Sequence, residues 1–425
     1  MMEAFNRCLA SPVHDSRLLG LSGLLSARSH CGVGFIRSAQ PARFTSKSSI
    51  PTCRTLRCSP SAIPFDVSPP PIEEDPELKI AEGVDGEYDI AETFADDNMA
   101  IDAAFDEVAI ADLSHFGRLR VTGEDRVQFL HNQSTAKFDD LTEGVGCDTV
   151  LVTATARTID IAHAWVMKNA VLLFLSPSTS KSITEMLNKY IFYADKVEIH
   201  DITKQTYFFT LMGPKSSTVM EMLNLGDLVG QPYGTHRHYS VNGTPVTIGV
   251  GSILFKDGFS FMLSSASARS VWRSLLSHGA IPMGINAWER LRVLQGRPAP
   301  GRELTKDYNV LEAGLSMAVS VDKGCYKGQE TISRLITYDG VKQRLWGIRL
   351  SGQAEPGSSI MQDGNKVGVL SSYSIGRKDG DHVGLAYVKR RINSAEVEVG
   401  DVKGTLIDAP FLSYSNLGEG KSIAS

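Results

Sequence analysis

Read for its apolar and polar positions, the chain organises itself from about residue 101 onward. "EVAIADLSHFGRLRVTG" holds two short apolar stretches suited to strands. "TGEDRVQFLHNQ" then changes to helical spacing, with Thr122 as N-cap, Asp125 at the third position, and Val127 and Leu130 inward. "CDTVLVTATARTIDIAHAWV" and "AVLLFLS" read as β, and "SKSITEMLNKYIFY" places Ile183, Met186, Leu187, Tyr190 and Ile191 on one helical face. "VEIHDITKQTYFFTLMGP" returns to β and ends in a Gly-Pro turn. Two further helices follow, "ARSVWRSLLSHG" stopped by Gly279 and "NAWERLRVLQG" starting at Asn286. Beyond residue 341 the texture is alternation broken by glycine, with Trp346, Ile348 and Leu350 on one face, which predicts a small all-β barrel or sandwich. Helices and strands mix without strict βαβ alternation, so the fold class is α+β.

Composition refines this picture at the ends of the chain. With 425 residues, 42% of them hydrophobic and 21% charged, the sequence is long enough for two or three globular domains. The longest apolar run, "AVLLFL", is far short of a bilayer span, so no membrane segment is expected. Residues 1–60 carry eight Lys/Arg and ten Ser against two acids, Glu3 and Asp15, which is the composition of an organelle transit peptide. Its Ser/Thr richness and the "TLRCSPSA" segment favour a chloroplast over a mitochondrion. Without those residues, 35 Lys/Arg face 46 Asp/Glu, a balance opposite to that of a nucleic-acid binder. Residues 61–100 are dense in acids and read as a mostly disordered linker, helical near its end. Residues 101–340 are then the α+β part, 341–412 the β module and 413–425 a tail.

Four of the six cysteines, Cys8, Cys31, Cys53 and Cys58, fall in the transit-like segment, leaving Cys147 and Cys325. Two cysteines make neither a disulfide framework nor a four-thiolate metal site, so no metal and no resident cluster is expected. Cys325 sits in "KGCYKGQE", between an apolar run and a helix whose Ile332, Leu335 and Ile336 share a face. A helix N-terminus together with Lys323 and Lys327 would favour a thiolate, and Gly324 and Gly328 would let a ligand approach the backbone. A packed cysteine in a turn is the other reading, and local chemistry leaves both open. No papain-like or caspase-like signature surrounds it, and there is no dinucleotide or P-loop glycine motif. His236 and His238 in "THRHY" share a strand face but lack a third ligand, so they read as surface histidines.

"KGCYKGQE" resembles the signature of the YgfZ-type proteins, folate-binding relatives of the glycine cleavage T-protein (aminomethyltransferase) that support iron-sulfur enzymes. The likeness runs over roughly residues 101 to 400, through "DLSHFGRLRVTGEDRVQFL", "DITKQTYFFTLMGP", "NVLEAGLSMAVSVDKGCYKGQE", "KVGVLSS" and "GLAYVKR". It implies three lobes around a central channel for tetrahydrofolate, with a C-terminal β-barrel. By the same resemblance Thr149, Asp160, Arg292 and Glu312 would bind the folate, and Cys325 would be the working thiol within a motif of Lys323, Gly324, Tyr326, Gly328, Gln329 and Glu330. The implied partners are reduced folate and iron-sulfur proteins or their assembly factors.

The sequence departs from the aminomethyltransferase pattern at two carboxylates. Lys137 in "TAK" stands where those enzymes have an acid, and Leu294 in "LRVLQG" stands where they have a pterin-facing Glu. A lysine does not replace a carboxylate as general base or as the stabiliser of an iminium cation. The departures disfavour aminomethyl transfer and leave three expectations: a plastid folate-dependent factor for iron-sulfur proteins, a one-carbon transferase with another donor, or a folate-free scaffold.

Overall fold

In the computed structural model, residues 79–81, 90–241 and 243–413 are described. The first elements are β1 (Lys79–Ala81), β2 (Ile90–Thr93), α1 (Asp97–Asp106), β3 (Ala109–Asp112), β4 (Gly117–Thr122), α2 (Arg126–Gln133), β5 (Gly146–Val152), β6 (Thr158–Val166), β7 (Ala170–Leu175) and α3 (Pro177–Lys189). Next come β8 (Glu198–Asp201), β9 (Thr206–Met212), α4 (Ser216–Met222), β10 (His236–Val241), β11 (Thr244–Val250), β12 (Phe259–Ser264), α5 (Ser265–Ser277), β13 (Ile281–Met283), α6 (Ile285–Gln295) and α7 (Gln329–Thr337). The chain ends in β14 (Gln343–Leu350), β15 (Ser359–Gln362), β16 (Asn365–Ile375), β17 (His382–Lys389), β18 (Glu396–Val399), β19 (Val402–Ile407) and the short α8 (Pro410–Ser413).

Beside the β1-β2 pair, these strands form two larger sheets and a barrel. One sheet has the order β5-β6-β7-β4-β8, the other β10-β11-β12-β9-β3-β13. All six residues of β7 are buried, because it lies inside its sheet with apolar cover on both faces. On one side Leu173 and Leu175 pack with Phe129 and Leu130 of α2 and Ile183 and Leu187 of α3. On the other, Leu172 and Phe174 meet Phe208 and Met212 of the second sheet and Trp288 of α6, with Phe174 and Phe208 stacked at 4.6 Å. The two sheets therefore share one core. Each outer face of the pair is covered by helices, as the continuous apolar strands require.

Residues 343–407 close into a six-stranded barrel, β14-β17-β16-β15-β18-β19, in which β14 pairs with both β17 and β19. The barrel is tied to α6 by a buried charge. Arg292 donates to Glu303 Oε2 at 3.2 Å and to Ser372 Oγ of β16 at 3.2 Å, while Ser372 donates to Glu303 Oε1 at 2.5 Å.

Several local expectations are corrected. Of the expected linker only residues 79–81 and 90–100 are described: there β1 pairs with β2, Ile90 is buried, and α1 starts near the linker's end, the expected place for a helix. The acids there are helix chemistry, since Asp96 accepts the Met99 N–H at 2.8 Å and Asp97 occupies the first turn. Thr122 ends a strand, and α2 starts at Arg126 behind Asp125. Tyr190 and Ile191 lie beyond α3, α6 starts at Ile285 behind Gly284, and α4 is a helix without a strong sequence period. The transit-like segment and residues 414–425 lie outside the described residues. Among those described, no helix is long and apolar enough to cross a membrane.

Candidate binding site

A cavity of about 260 Å³ opens among the sheet lobes, the segment before the cysteine motif, and α8. Its walls are largely apolar, with Ile161, Ile253, Leu254, Phe255, Leu315 and Phe411, and the exposed Lys256 and Met317 stand on its rim. Its inner polar group is Asp148 of β5. Gly146 and Gly234 bring this wall together: a side chain on Gly146 would strike Ala164 O, and Gly234, at φ 83°, lies against the backbone of Gly146. That contact sets Tyr233, from the loop before β10, onto the carboxylate.

Asp148 and His163 are register partners on β5 and β6, so their side chains meet on one face. The His163 Nδ1 to Asp148 Oδ1 distance is 2.7 Å, and the Tyr233 hydroxyl donates to Oδ1 at 2.9 Å and Oδ2 at 3.0 Å. Trp165 Nε1–H donates to His163 Nε2 at 2.8 Å. An indole nitrogen only donates, so Nε2 accepts and the ring proton sits on Nδ1, aimed at the carboxylate. Burial on its own would raise the Asp148 carboxyl, but the His163 and Tyr233 hydrogen bonds and the Arg297 charge hold it below its ordinary value. Asp148 is thus an ionised carboxylate, and its side chain keeps 31% exposure on the cavity it lines. Burial, and then Asp148, push the neighbouring Cys147 thiol up to about 12. Cys147 is therefore a protonated wall residue and not a nucleophile.

Behind this wall, Arg297 is 6% exposed, donates one long bond to Ile161 O at 3.4 Å, and has no partner for Nε among the described residues. Its guanidinium supplies positive charge to Asp148 and Asp160. Asp148, His163, Tyr233 and Arg297 were not singled out from the sequence. The signal available was an acid in "CDTVLV" and a histidine in "DIAHAW", polar residues inside strands that are otherwise apolar.

The four positions implied by family resemblance hold the walls and do not line the cavity. Asp160 is fully buried and accepts from Ser176 N and Oγ at 2.8 Å each, Thr179 Oγ1 at 2.6 Å and Ile161 N at 2.8 Å, which anchors the start of α3. Thr149 accepts the Ala136 N–H at 3.0 Å. Glu312 accepts the Asn309 N–H at 3.1 Å and closes that turn. Arg292 is the tie to the barrel described above. Leu294 packs against the core shared by the two sheets. Lys137 pairs with Asp140 at 3.0 Å and with Asp322, just before the motif, at 3.5 Å.

The cysteine motif follows directly from the cavity wall. Gly314, Leu315, Met317 and Ala318 line the cavity, and the apolar run that leads into the motif holds a 3-10 turn, Ser316–Ala318, in an irregular path. Cys325 is exposed. It lies four residues before α7, outside its first turn. The two lysines are also otherwise engaged. Lys323 Nζ donates to His131 O at 2.6 Å, Ser134 O at 2.8 Å and Ala136 O at 2.6 Å, closing the C-terminal end of α2. Lys327 Nζ contacts Met186 Sδ at 3.0 Å and the Tyr190 ring. Gly328, at φ 86°, is the N-cap of α7, and Gln329 Oε1 accepts the Tyr326 N–H at 3.3 Å. Tyr326 is buried, whereas Glu330 is exposed and pairs with Arg334 at 3.0 Å. On α7 only Ile332 is buried and Ile336 is exposed. His236, expected at the surface, is 4% exposed and stacks on Trp165 at 5.2 Å because the second sheet closes over it.

Two packed sheet lobes followed by a closed C-terminal barrel define the aminomethyltransferase type of architecture. The crystal structure of glycine cleavage system aminomethyltransferase T from Bartonella henselae matches it with a TM-score of 0.68 over 79% of this chain and 94% of that one, at 19% identity. Residues 86–323 match the GCVT N-terminal domain model, and the chain belongs to that family, within the T-protein superfamily. "Putative transferase At1g60990, chloroplastic" of Arabidopsis thaliana is 57% identical over 366 residues, covering 84% of this chain and 85% of the relative. An aminomethyltransferase of Shouchella clausii is 26% identical over 325 residues, 74% of this chain and 87% of that enzyme. With its Ser-rich, acid-poor start, this chain is a chloroplast protein.

Proposed function

We propose that this protein is a plastid tetrahydrofolate-binding factor of the YgfZ type that supports iron-sulfur enzymes, with reduced folate in the cavity and Cys325 as the working thiol. The observation that carries the reading is a mostly apolar cavity whose inner wall holds one ionised, doubly hydrogen-bonded carboxylate, Asp148. Pockets for flat heterocycles combine apolar walls with a few fixed polar groups in this way. Ile161, Ile253, Leu254 and Phe255 would enclose the bicyclic head, and Lys256 on the rim suits an anionic glutamate tail. Reduced folate carries one-carbon units on N5 of its pterin ring and on the bridging N10; the protein's own part is to bind and orient it. The exposed Cys325, set on a segment pinned by Lys323, is accessible to a partner protein.

Titration of the purified protein with tetrahydrofolate tests the folate half, with binding expected at or below tens of micromolar. A folded protein that does not bind in that range refutes it. For the thiol half, Cys325→Ala is expected to lose the ability to restore iron-sulfur enzyme activity in a strain lacking its own YgfZ-type factor, and full restoration refutes it. A one-carbon transferase is the second reading, favoured by membership of an aminomethyltransferase family. It requires formation of 5,10-methylenetetrahydrofolate from some donor, without carboxylates at positions 137 and 294.

A further inference from the structure

We infer that Asp148 anchors a guanidine-like edge, a ring N–H beside an exocyclic amino group, on a flat heterocycle bound in the cavity. The inference rests on the folate reading only in that the pterin head of folate carries such an edge. The geometry itself is independent of it. A carboxylate has about four lone-pair sites and donates nothing. His163 fills one of them, and the single phenolic proton of Tyr233 is shared between both oxygens, so acceptor capacity remains. Other polar groups at the wall are already satisfied: Ser252 Oγ accepts the Phe255 N–H at 2.9 Å, and the Cys147 thiol is a weak donor. What the inner wall offers a ligand is therefore negative charge and open acceptor sites.

This selects against anions and for paired N–H donors. An anionic group would meet Asp148 at the inner wall and is restricted to the rim, where Lys256 lies. Two adjacent N–H groups match both carboxylate oxygens at once, the planar two-point recognition that makes such pairs strong. The carboxylate is also held still. Trp165 fixes the His163 tautomer, His163 fixes Oδ1, and Tyr233 bridges both oxygens, so His163, Trp165 and Tyr233 are positioning residues. Arg297 offsets the charge from behind the wall, which lets the carboxylate stay ionised before a ligand arrives.

The probes are tetrahydrofolate, pterin, which has a 2-amino-4-oxo ring, and lumazine, its 2,4-dioxo analogue, each titrated into the full-length chain and its Asp148→Asn variant. The wild type is expected to prefer pterin to lumazine at least tenfold. Asp148→Asn is expected to weaken pterin binding at least tenfold and to abolish the preference, with near-UV circular dichroism unchanged. Equal binding of pterin and lumazine by the wild type overturns the inference, and so does a folded Asp148→Asn protein that binds pterin normally. If the variant does not fold, the wild-type pterin-to-lumazine ratio decides alone. Pterin bound with the expected preference while tetrahydrofolate is not bound removes the folate reading and leaves the inference standing. Tetrahydrofolate bound without a pterin preference does the reverse, and no binding of any of the three overturns both.

Discussion

Replacing Lys323 with methionine keeps most of the unbranched stem and removes the ammonium that three carbonyls share. Hydrogen bonds from a charged donor contribute about 1.5 to 3 kcal/mol each, so three of them amount to about 4.5 to 9 kcal/mol. Against that stands the cost of burying the charge. Burial pushes the Lys323 ammonium down from 10.5 to about 8, with Asp139 pulling it back up. At about 1.4 kcal/mol per pH unit that fall corresponds to about 3.4 kcal/mol, which methionine recovers. The difference is a destabilisation of about 1 to 6 kcal/mol, centred near 3, because His131, Ser134 and Ala136 keep buried carbonyls without a donor.

Urea unfolding followed by far-UV circular dichroism measures that loss, and the labelling rate of Cys325 by a maleimide reports whether the motif has come loose. We expect a lower midpoint and faster labelling together. Lys323→Arg is expected to resemble the methionine variant, since a planar guanidinium does not direct three N–H groups at one cluster of carbonyls as a tetrahedral ammonium does. A Lys323→Met protein within about 0.5 kcal/mol of the wild type would refute the reasoning, because surface substitutions have that size and buried charge-assisted bonds do not.

Arg292→Met leaves Glu303 as a fully buried, unpaired charge between α6 and the barrel, and is expected to cost about 3 to 5 kcal/mol in the same unfolding assay. At pH 8 a thiol reagent should modify Cys325 rapidly and Cys147 only on unfolding, which peptide mapping after a timed quench resolves. Between about pH 9 and 12 the unfolded chain releases the Cys147 proton while the native protein retains it, so this group's contribution to stability falls as pH rises. Comparing unfolding midpoints of wild type and Cys147→Ala across that window should show a shallower alkaline fall in the variant; parallel curves would contradict the assignment. Saturating tetrahydrofolate should slow Cys325 labelling, since Leu315, Met317 and Ala318 line the cavity and lead into the motif.

Much of the scaffold was legible because its signals are local. The all-apolar β7, the periodic faces of α3 and α5, and the glycine-broken alternation after residue 341 each follow from the spacing of a few neighbours. At the end of the acidic stretch, composition counts charges without their positions: Asp96 and Asp97 sit at the start of a helix, and further along it Asp102 pairs with Arg377, 275 residues away. The cavity was illegible for the same reason. Asp148 meets His163 through strand register and Tyr233 through a contact between sheets, and neither partnership leaves a spacing in the chain.

The four residues implied by resemblance are each engaged within the fold itself. Asp160, Arg292 and Glu312 are charged and nearly inaccessible, so each must be compensated where it lies. Each is compensated locally, by the start of α3, by Glu303 and the barrel, and by the Asn309 turn. Asp160, whose two oxygens accept four hydrogen bonds, has little capacity left for a ligand, and all three groups fix walls on which ligand contacts depend. With Leu294 apolar and Lys137 turned to Asp140 and Asp322, the open acceptor sites at the inner wall fall to Asp148. The chemistry of this cavity is then set by one propped carboxylate with Arg297 behind it, and a donor edge on the ligand, more than the family scaffold, determines what it holds.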